Sequence, residues 1–397
     1  MIRVGIITIH KLNNYGSVLQ AYALQSTVSS LGCWVDIIDY SIQHTPAVLF
    51  GYAVQAYREV GLLQTVSSIA HYGIALILEI REKIMRQDSH CVPIPEIFDE
   101  FRKTRLVLSN ESYSPETLRS TPPDYDVYIT GSDNVWLINN AFGISDGGAR
   151  FYLDFVSENK KTISYAPSMG DPIISEQYLE RFKSLLKNID HLSARESSTA
   201  EFITEMTGRS AATVCDPTLL LTREEWDILI PCETIISSSP PYILVYVIHA
   251  LDADSDAFLF AQDLAKKQGL DILYIGYHFV QGKPIFTTVS VSEFLQSFKN
   301  ASYVITNTFH GTMFSIIYRK VFYAFKPRAG PARIRDVLAT VGLSDRFVES
   351  ESEARELPAD VNYHNAEAKI QKFRSDSLLW LQTALQDGDV HVRGEPK

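Results

Sequence analysis

The 397-residue sequence lacks a surplus of basic residues and lacks any long run without polar side chains. Lysine and arginine total 36 against 47 aspartate and glutamate residues, which gives a formal net charge of −11. Proteins that bind nucleic-acid phosphates usually carry a basic surplus, so this balance argues against a general nucleic-acid binder. Hydrophobic residues at 46% and charged residues at 21% exclude a disordered, collagen-like or coiled-coil chain.

Cysteine is also scarce, and the whole set is Cys33, Cys91, Cys215 and Cys232. Their spacing forms neither a CxxC pair nor a zinc pattern, and four thiols in so long a chain make no disulfide scaffold. Residues 1–10 enter a strand-like apolar run directly, without a long h-region or a small-residue cleavage site. These absences predict a cytoplasmic protein in a reducing compartment.

What the sequence does contain is an alternation of short β-branched runs and helical periods, and its length predicts two domains. Strands at Val4–Ile9 and Trp34–Tyr40 flank a helix over Ser17–Leu31. The same pattern places further strands at 126–130, 162–166, 191–194 and 213–215, with helices near 175–187 and 197–206. Such alternation is typical of parallel strands with crossover helices, and therefore of an α/β doubly wound sheet.

The pattern stops at the turn-rich stretch Ser237–Pro241, which is typical of a linker, and then starts again. The second set has strands at 242–248, 271–277, 303–307 and 321–325, with helices at 255–268, 291–300, 310–319 and 332–341. We therefore predict two α/β domains with a cleft between them, at residues 1–236 and 242–365, followed by an amphipathic helix and tail at 366–397. Ligands in such sheets bind beyond the carboxyl ends of the strands.

One segment, residues 45–86, fits this alternation poorly. Within it, Gly61–Leu78 contains no Asp, Glu, Lys or Arg, but glutamine, threonine, serine and histidine interrupt the apolar run. The stretch is therefore too polar for a membrane span. We favour a helical insertion, at about 45–100, that packs on the first domain, over a segment that lies at a membrane interface.

Polar residues follow four of the predicted strands directly, at the edge where this architecture binds ligands. The first segment, Asn13–Ser17, offers Asn14, Tyr15 and Gly16. The glycine allows close backbone approach, and the free N–H groups of the next helix favour a phosphate or a carboxylate. An ordinary turn that caps the helix is an equal alternative.

The second and third segments offer Ser132 with Asp133, and Arg195. The planar guanidinium of Arg195 suits bidentate contact with a carboxylate or a phosphate. The alternatives are an ion pair of Arg195 with Glu196 or another acid, and an Asx turn at Ser132 and Asp133.

The fourth segment, Thr306–Thr312, places His310 at the amino end of a predicted helix, among Thr308, Gly311 and Thr312. The helix dipole there favours a neutral imidazole and anionic ligands. A positioned titratable group of this kind serves general acid or base catalysis, and a structural hydrogen bond is the alternative. The other histidines form no HExxH or metal-ligand pair and no GxSxG follows a strand, so we predict neither a metal site nor a serine hydrolase.

Together these segments resemble the polysaccharide pyruvyl transferase family. Asn13–Gln25, with the sequence NNYGSVLQAYALQ, resembles the family's N-terminal signature. Five more family-like blocks follow in order: residues 131–136 (GSDNVW), 163–170 (ISYAPSMG), 193–196 (SARE), 216–220 (DPTLL) and 308–312 (TFHGT). Six blocks in order across residues 1–346 make the resemblance specific.

The resemblance implies two Rossmann-like domains that face each other across a cleft, as in the GT-B arrangement of glycosyltransferases. It implies transfer of a pyruvyl group from phosphoenolpyruvate to a sugar of a bacterial surface or capsular polysaccharide, or of its lipid-linked precursor. The products are a cyclic pyruvate ketal and phosphate. Phosphoenolpyruvate is the donor substrate, so no cofactor is expected. The family's histidine maps onto His310 as candidate general acid, and its donor-binding arginine onto Arg195.

The chain departs from the family at two places. Some members carry an arginine two residues before the histidine, where this chain has Thr308. Arg328 and Arg333 lie nearby in the sequence and are candidates to replace it, with solvated charges beside a helix as the alternative. Asn134 and Leu137 stand where glutamine and asparagine are more usual, which is consistent with a different acceptor sugar.

Two other functions stay open at this point. A GT-B-type glycosyltransferase would use a nucleotide sugar, since one fold hosts several chemistries, and a carbohydrate-binding scaffold would have no turnover to lose. The acceptor sugar, the oligomeric state and the choice between acid and base for His310 are not legible in the sequence. A lipid-linked acceptor would give residues 45–86 a reason to contact the inner membrane face, so peripheral membrane contact accompanies the cytoplasmic prediction.

Overall fold

The fold is taken from a computed structural model. It describes residues 1–41, 94–136, 146–170, 174, 176–231, 240–247, 255–280, 283–327, 330–358 and 360–387. The segment at 45–86, Leu137, Arg328 and most of the linker at 237–241 lie outside the described residues.

A parallel sheet forms the centre of the first lobe. Its strands are β1 (Arg3–Ile7), β2 (Trp34–Tyr40), β3 (Leu108–Tyr113), β4 (Val127–Thr130) and β5 (Lys161–Ser164). Their order is β3-β2-β1-β4-β5, and a short parallel pair, β6 (Ser193–Ala194) and β7 (Ala212–Thr213), follows β5. The central strand is buried from Val4 to Ile7, as expected for a parallel sheet covered on both faces.

Helices cover this sheet and connect its strands. They are α1 (Tyr15–Ser30), α2 (Ile94–Arg105), α3 (Pro115–Ser120), α4 (Asp146–Ala149), α5 (Glu176–Leu186), α6 (Ser197–Thr207), α7 (Pro217–Leu220) and α8 (Arg223–Asp227). The first of them begins at the cap Asn14, whose side chain accepts a hydrogen bond from the backbone N–H of Ser17 at 3.1 Å. It stops before Gly32, which has a φ of 87°. The predicted helix over Ser17–Leu31 is therefore confirmed, and it starts two residues earlier.

A second, mostly parallel sheet forms the second lobe. Its strands are β8 (Tyr242–Tyr246), β9 (Asp271–Val280), β10 (Lys283–Thr287), β11 (Tyr303–Thr306), β12 (Val321–Phe325) and β13 (Phe347–Val348), in the order β10-β9-β8-β11-β12-β13. Only the β9–β10 pair, within the described residues, is antiparallel. Its helices are α9 (Asp256–Gln268), α10 (Val291–Asn300), α11 (Phe309–Ile317), α12 (Pro331–Val341) and α13 (Glu351–Glu356).

The last helix, α14 (Tyr363–Gln386), contacts both lobes. Near its start, the Tyr363 hydroxyl donates to the carbonyl of Ser315 in the second lobe at 3.1 Å. Farther along, Ser377 Oγ accepts from the backbone N–H of Cys215 at 2.9 Å, and Lys161 Nζ donates to the carbonyl of Leu385 at 2.9 Å. The chain therefore returns to the first lobe after completing the second.

The two lobes also pack directly against each other. The Tyr15 ring at the start of α1 stacks on Phe294 of α10, with centroids 4.2 Å apart and planes 4° from parallel. Trp226 meets Phe314 edge-on at 5.3 Å, and one continuous hydrophobic cluster contains residues from both lobes. The predicted α/β fold, with two Rossmann-like lobes facing each other, is confirmed. The predicted boundaries of the domains at 236, 242 and 366 stay predictions.

Candidate active site

His310 lies at the junction of the two lobes, as the second residue of α11. Strand β11 ends at Thr306, and Thr308 then caps α11 because its Oγ1 accepts from the backbone N–H of Gly311 at 2.8 Å. The hydroxyl of Thr312 donates back to the carbonyl of Thr308 at 3.0 Å. Thr308, Gly311 and Thr312 thus make the hydrogen bonds of this turn. The turn directs the buried imidazole of His310 toward the first lobe.

The imidazole of His310 packs against the turn that follows β1. A Cβ atom built on Gly16 would lie 2.0 Å from Nδ1 and 2.4 Å from Cγ of His310, so any larger residue would overlap the ring. Asn14 is occupied as the cap of α1. The hydroxyl of Tyr15 donates to the carbonyl of Val289 at 2.7 Å, so this side chain contacts the second lobe, and its predicted role in ligand binding stays a prediction.

Asp216 lies beside His310 and is wholly buried. Its Oδ2 atom is 3.8 Å from Nε2 of His310 and accepts hydrogen bonds from Nη1 of Arg195 and Oγ of Ser132, each at 3.1 Å. Its Oδ1 atom accepts from the backbone N–H and the hydroxyl of Thr218. Burial acts to raise the pKa of Asp216, but the adjacent His310 and Arg195 and the Thr218 hydrogen bonds outweigh it and hold that pKa below its usual range.

Arg195 is buried between two acids and an aromatic ring. Nε donates to Glu196 at 2.8 Å, Nη1 donates to Asp216, and the guanidinium carbon lies 4.0 Å from the centre of the Phe309 ring. The ion pair with Glu196 is the alternative that the sequence left open. Nη2 remains buried without a hydrogen-bond partner among the described residues. The Nη2 group of Arg195 is thus a hydrogen-bond donor without a partner among the described residues, and it lies close to Phe309, the residue before His310.

Asp133 and Ser132 belong to the part of the site that the first lobe provides. Asp133 has a left-handed φ of 73°, and its Oδ2 accepts from Ser17 Oγ at 2.6 Å. Its Oδ1 accepts from the backbone N–H of Asn134 at 2.9 Å. Both carboxylate oxygens therefore have partners, and Ser132 is committed to Asp216. The predicted pair at Ser132 and Asp133 supports the site through hydrogen bonds to other protein groups.

Arg333 reaches the site from the second lobe. It belongs to the first turn of α12, and its Nη1 donates to Oδ1 of Asn134 at 2.8 Å across the cleft. One turn later, Asp336 accepts from both the backbone N–H and the hydroxyl of Ser197, each at 2.6 Å. The structure therefore brings Arg333 into the candidate site, as a half-buried cation facing the first lobe.

The electrostatic surroundings favour a neutral His310. Burial lowers the pKa of His310, the carboxylates of Asp216 and Asp133 raise it, and the guanidiniums of Arg195 and Arg333 lower it, with the net result below the ordinary value. Nε2 has no hydrogen-bond partner among the described residues. A buried titratable group of this kind, between two lobes and beside cations, is suited to exchange protons with a bound ligand.

Sequence reasoning assigned no role to Asp216 and Ser168, and it named Glu196 only as an alternative ion-pair partner of Arg195. Asp216 and Glu196 lay inside blocks that resemble the family, as did Ser168, whose hydroxyl donates to Glu196 at 2.9 Å. The signal that could have singled out Asp216 is its position directly after a predicted strand end, the same criterion that selected His310. Its partners are distant in the sequence, so only the fold shows that it serves both Arg195 and His310.

Three further properties concern the described part of the chain. No cluster of three or more histidine, cysteine, aspartate and glutamate side chains there could hold a metal ion. Cys33 and Cys215 are buried free thiols. A search of the same residues for a helix of membrane-spanning length and hydropathy finds none.

Known structures share this architecture. A protein from Listeria monocytogenes assigned as a UDP-N-acetylglucosamine 2-epimerase is 8% identical, with a TM-score of 0.53 and 98% of both chains covered. The UDP-GlcNAc 2-epimerase from Methanocaldococcus jannaschii is 10% identical, with a TM-score of 0.49, 93% of this chain covered and 92% of that chain. The first likeness supports the GT-B-like fold and, at this identity, nothing further.

The family follows from the sequence. The family model for polysaccharide pyruvyl transferase matches residues 14–327, which is most of the chain, so the chain belongs to the polysaccharide pyruvyl transferase family. No curated protein matches the sequence significantly. The protein is therefore a transferase of this family.

Proposed function

We propose that the protein transfers a pyruvyl group from phosphoenolpyruvate to a sugar of a bacterial surface polysaccharide or its lipid-linked precursor, as a cyclic ketal with release of phosphate. The observation that carries this proposal is the buried His310, whose Nε2 has no hydrogen-bond partner among the described residues, beside Arg195 and Arg333 where the lobes meet. Membership of the pyruvyl transferase family supplies the class of reaction. A cytoplasmic location, with peripheral contact at the inner membrane, stays a prediction.

Donor binding requires positive charge, because phosphoenolpyruvate carries a phosphate and a carboxylate. The carboxylates of Glu196 and Asp216 offset most of the charge of Arg195, which leaves its Nη2 as a hydrogen-bond donor. Arg333 is a second candidate for the phosphate, because it extends from the second lobe to the side-chain oxygen of Asn134 across the cleft. Arg333 would then replace the arginine that other members carry at the position of Thr308.

The reaction requires the addition of one proton to a donor carbon atom and the loss of one proton from each of two sugar hydroxyls. A proton is added to the methylene carbon, and the first sugar hydroxyl adds to C2 and loses its own proton. The second hydroxyl then adds to the same carbon as the C–O bond to phosphate breaks, and its proton leaves with the phosphate. His310 would donate the first proton and accept one from a hydroxyl. An anionic donor beside it would favour the protonated imidazole that the first step requires.

The decisive measurement is phosphate release from phosphoenolpyruvate with a panel of lipid-linked and simple β-galactosides, glucosides and N-acetylmannosaminides. We expect release that depends on one acceptor and falls by about 100-fold or more in His310→Ala, because a positioned acid or base contributes roughly 10²–10⁴-fold. His364→Ala is the matched control, since His364 is an exposed histidine at the start of α14, and it should keep full activity.

The opposite result would reject the proposal. If phosphoenolpyruvate neither supported phosphate release nor raised the melting temperature, while a nucleotide sugar did raise it, the protein would be a glycosyltransferase. An acceptor that binds equally well to the His310→Ala variant, without turnover in either protein, would instead indicate a carbohydrate-binding role.

A further inference from the structure

Asp216 lies between the two groups on which the proposed reaction depends. Its Oδ2 atom is 3.1 Å from Nη1 of Arg195 and 3.8 Å from Nε2 of His310. We propose that Asp216 is a positioning residue, which orients His310, sets its proton occupancy and holds Arg195 beside it. The inference rests on the proposed function for the role of His310, whereas the contacts themselves are independent of it.

The carboxylate of Asp216 is fixed in place by its other contacts. Oδ1 accepts from the backbone N–H of Thr218 at 2.9 Å and from its hydroxyl at 2.7 Å, so Asp216 caps α7. Ser132 Oγ donates to Oδ2 at 3.1 Å, and the side chain has no exposed surface. With four donors on two oxygens, the carboxylate has no freedom to rotate away, so it presents a constant negative charge to the imidazole.

The ring nitrogen of His310 that faces Asp216 is Nε2. Nε2 has no hydrogen-bond partner among the described residues, and its separation of 3.8 Å from Oδ2 is too long for a hydrogen bond but short enough for strong attraction to a protonated ring. The Nδ1 side of the ring is packed against Gly16. Protonation would therefore draw the imidazole toward Asp216, and loss of the proton would release it.

Four charged groups face His310, and they come from four different segments. Asp216 follows β7, Asp133 follows β4, Arg195 follows β6 and Arg333 comes from α12, whereas α1 presents only uncharged groups to the ring. Two carboxylates thus oppose two guanidiniums around one imidazole. In a balance of this kind, removal of one carboxylate shifts the protonation of His310 in a direction that can be stated in advance.

The test is a pH titration of the His310 imidazole by NMR on the intact, histidine-labelled protein, without any donor. Asp216→Asn keeps an acceptor for Thr218 but removes the charge, so we expect the pKa of His310 to move to lower pH than in the parent protein. The matched control is Asp190→Asn, because Asp190 is also a buried carboxylate of the first lobe, yet it bonds to Thr162 in β5. It should leave the titration of His310 unchanged.

A second variant tests the same coupling with the opposite sign. Arg195→Gln removes the cation that shares Oδ2 with His310, so only Arg333 then opposes the two carboxylates and the pKa of His310 should rise. If the titration of His310 is unmoved in both folded variants, Asp216 does not set its proton occupancy and the inference is wrong. If Asp216→Asn fails to fold, the double variant Asp216→Asn/Arg195→Gln, which removes both charges, is compared with Arg195→Gln, and an equal pKa of His310 in these two proteins would overturn the inference.

Turnover separates this inference from the proposed function. In an active preparation, Asp216→Asn should lower kcat about tenfold or more, with a smaller change in the donor KM, and should move the limb of the pH profile that reports His310 to lower pH. The conservative Asp216→Glu should restore the position of that limb. A titration shift without any phosphate release would reject the proposed function and keep the coupling, whereas phosphate release without a shift would reject the coupling alone.

Discussion

At the scale of the residue, Gly16 of the first lobe lies directly against the imidazole of His310 from the second lobe. Because a Cβ atom would overlap Nδ1 and Cγ of His310, Gly16→Ala should displace the ring. We expect a loss of about 1–3 kcal/mol in the free energy of unfolding, as for other overpacked sites, together with at least a tenfold loss of kcat. Urea titration measures the free energy of unfolding, and phosphate release measures kcat.

Gly208→Ala provides the comparison for that prediction. Gly208 has a φ of 69°, and no atom lies within 4 Å of the position of its Cβ, so alanine there adds backbone strain without a steric overlap. It should destabilise the protein and leave kcat unchanged. An equal loss of kcat in both variants would show that stability, and not the position of His310, explains the effect of Gly16→Ala.

The residues of the site were predictable from the sequence to different degrees. His310 and Arg195 were selected because each follows a strand, and the structure indeed brings them together around Asp216. The ion pair of Arg195 with Glu196 is local in sequence and could be foreseen as an alternative. The contact of Tyr15 with Val289 joins residues 274 positions apart, so no local pattern could distinguish this packing from ligand binding.

At the scale of the element, α14 is held to the first lobe by a buried lysine. Lys161 donates to the carbonyls of Leu385 and Asp387 at the carboxyl end of the helix, where such groups lack partners within the helix. Lys161→Met should therefore lower the free energy of unfolding by about 1–3 kcal/mol. Lys160→Met should change it little, because Lys160 pairs at the surface with the exposed Asp124. Thermal unfolding of the two variants would decide this, and equal effects would contradict the role of Lys161.

Strand β3 was missing from the sequence prediction for a physical reason. Strand β3, with the sequence LSNESY, lies at the edge of its sheet and is largely exposed, so it has no apolar pattern to recognise. It is positioned by the side chain of Gln25 in α1, which accepts from the N–H of Val107 and donates to its carbonyl. The buried central strands were predicted because their β-branched runs are continuous, whereas β3 depends on this contact across 82 residues.

At the scale of the molecule, α12 joins the lobes by Arg333 and Asp336, one turn apart. Asp336→Ala removes the acceptor for both groups of Ser197, so the lobes should separate more readily in the free protein. We expect a larger radius of gyration by X-ray scattering and a raised KM for phosphoenolpyruvate. Arg335→Ala alters the same helix but removes contacts inside the second lobe, an ion pair with Glu349 and a cation–π contact with Phe347, so neither quantity should change. A compact Asp336→Ala protein with an unaltered KM would contradict this role.

The return of α14 to the first lobe has a mechanical consequence. The chain crosses between the lobes twice, once before β8 and once more as α14 runs from its contact with Ser315 to its contacts with Cys215 and Leu385. Two bodies that share a single connection can twist and bend in any direction, but a second connection leaves them chiefly one rotation, about the line through both. If the lobes move apart, the motion is thereby restricted to one path, and closure along that path would return His310 to the same place beside Gly16.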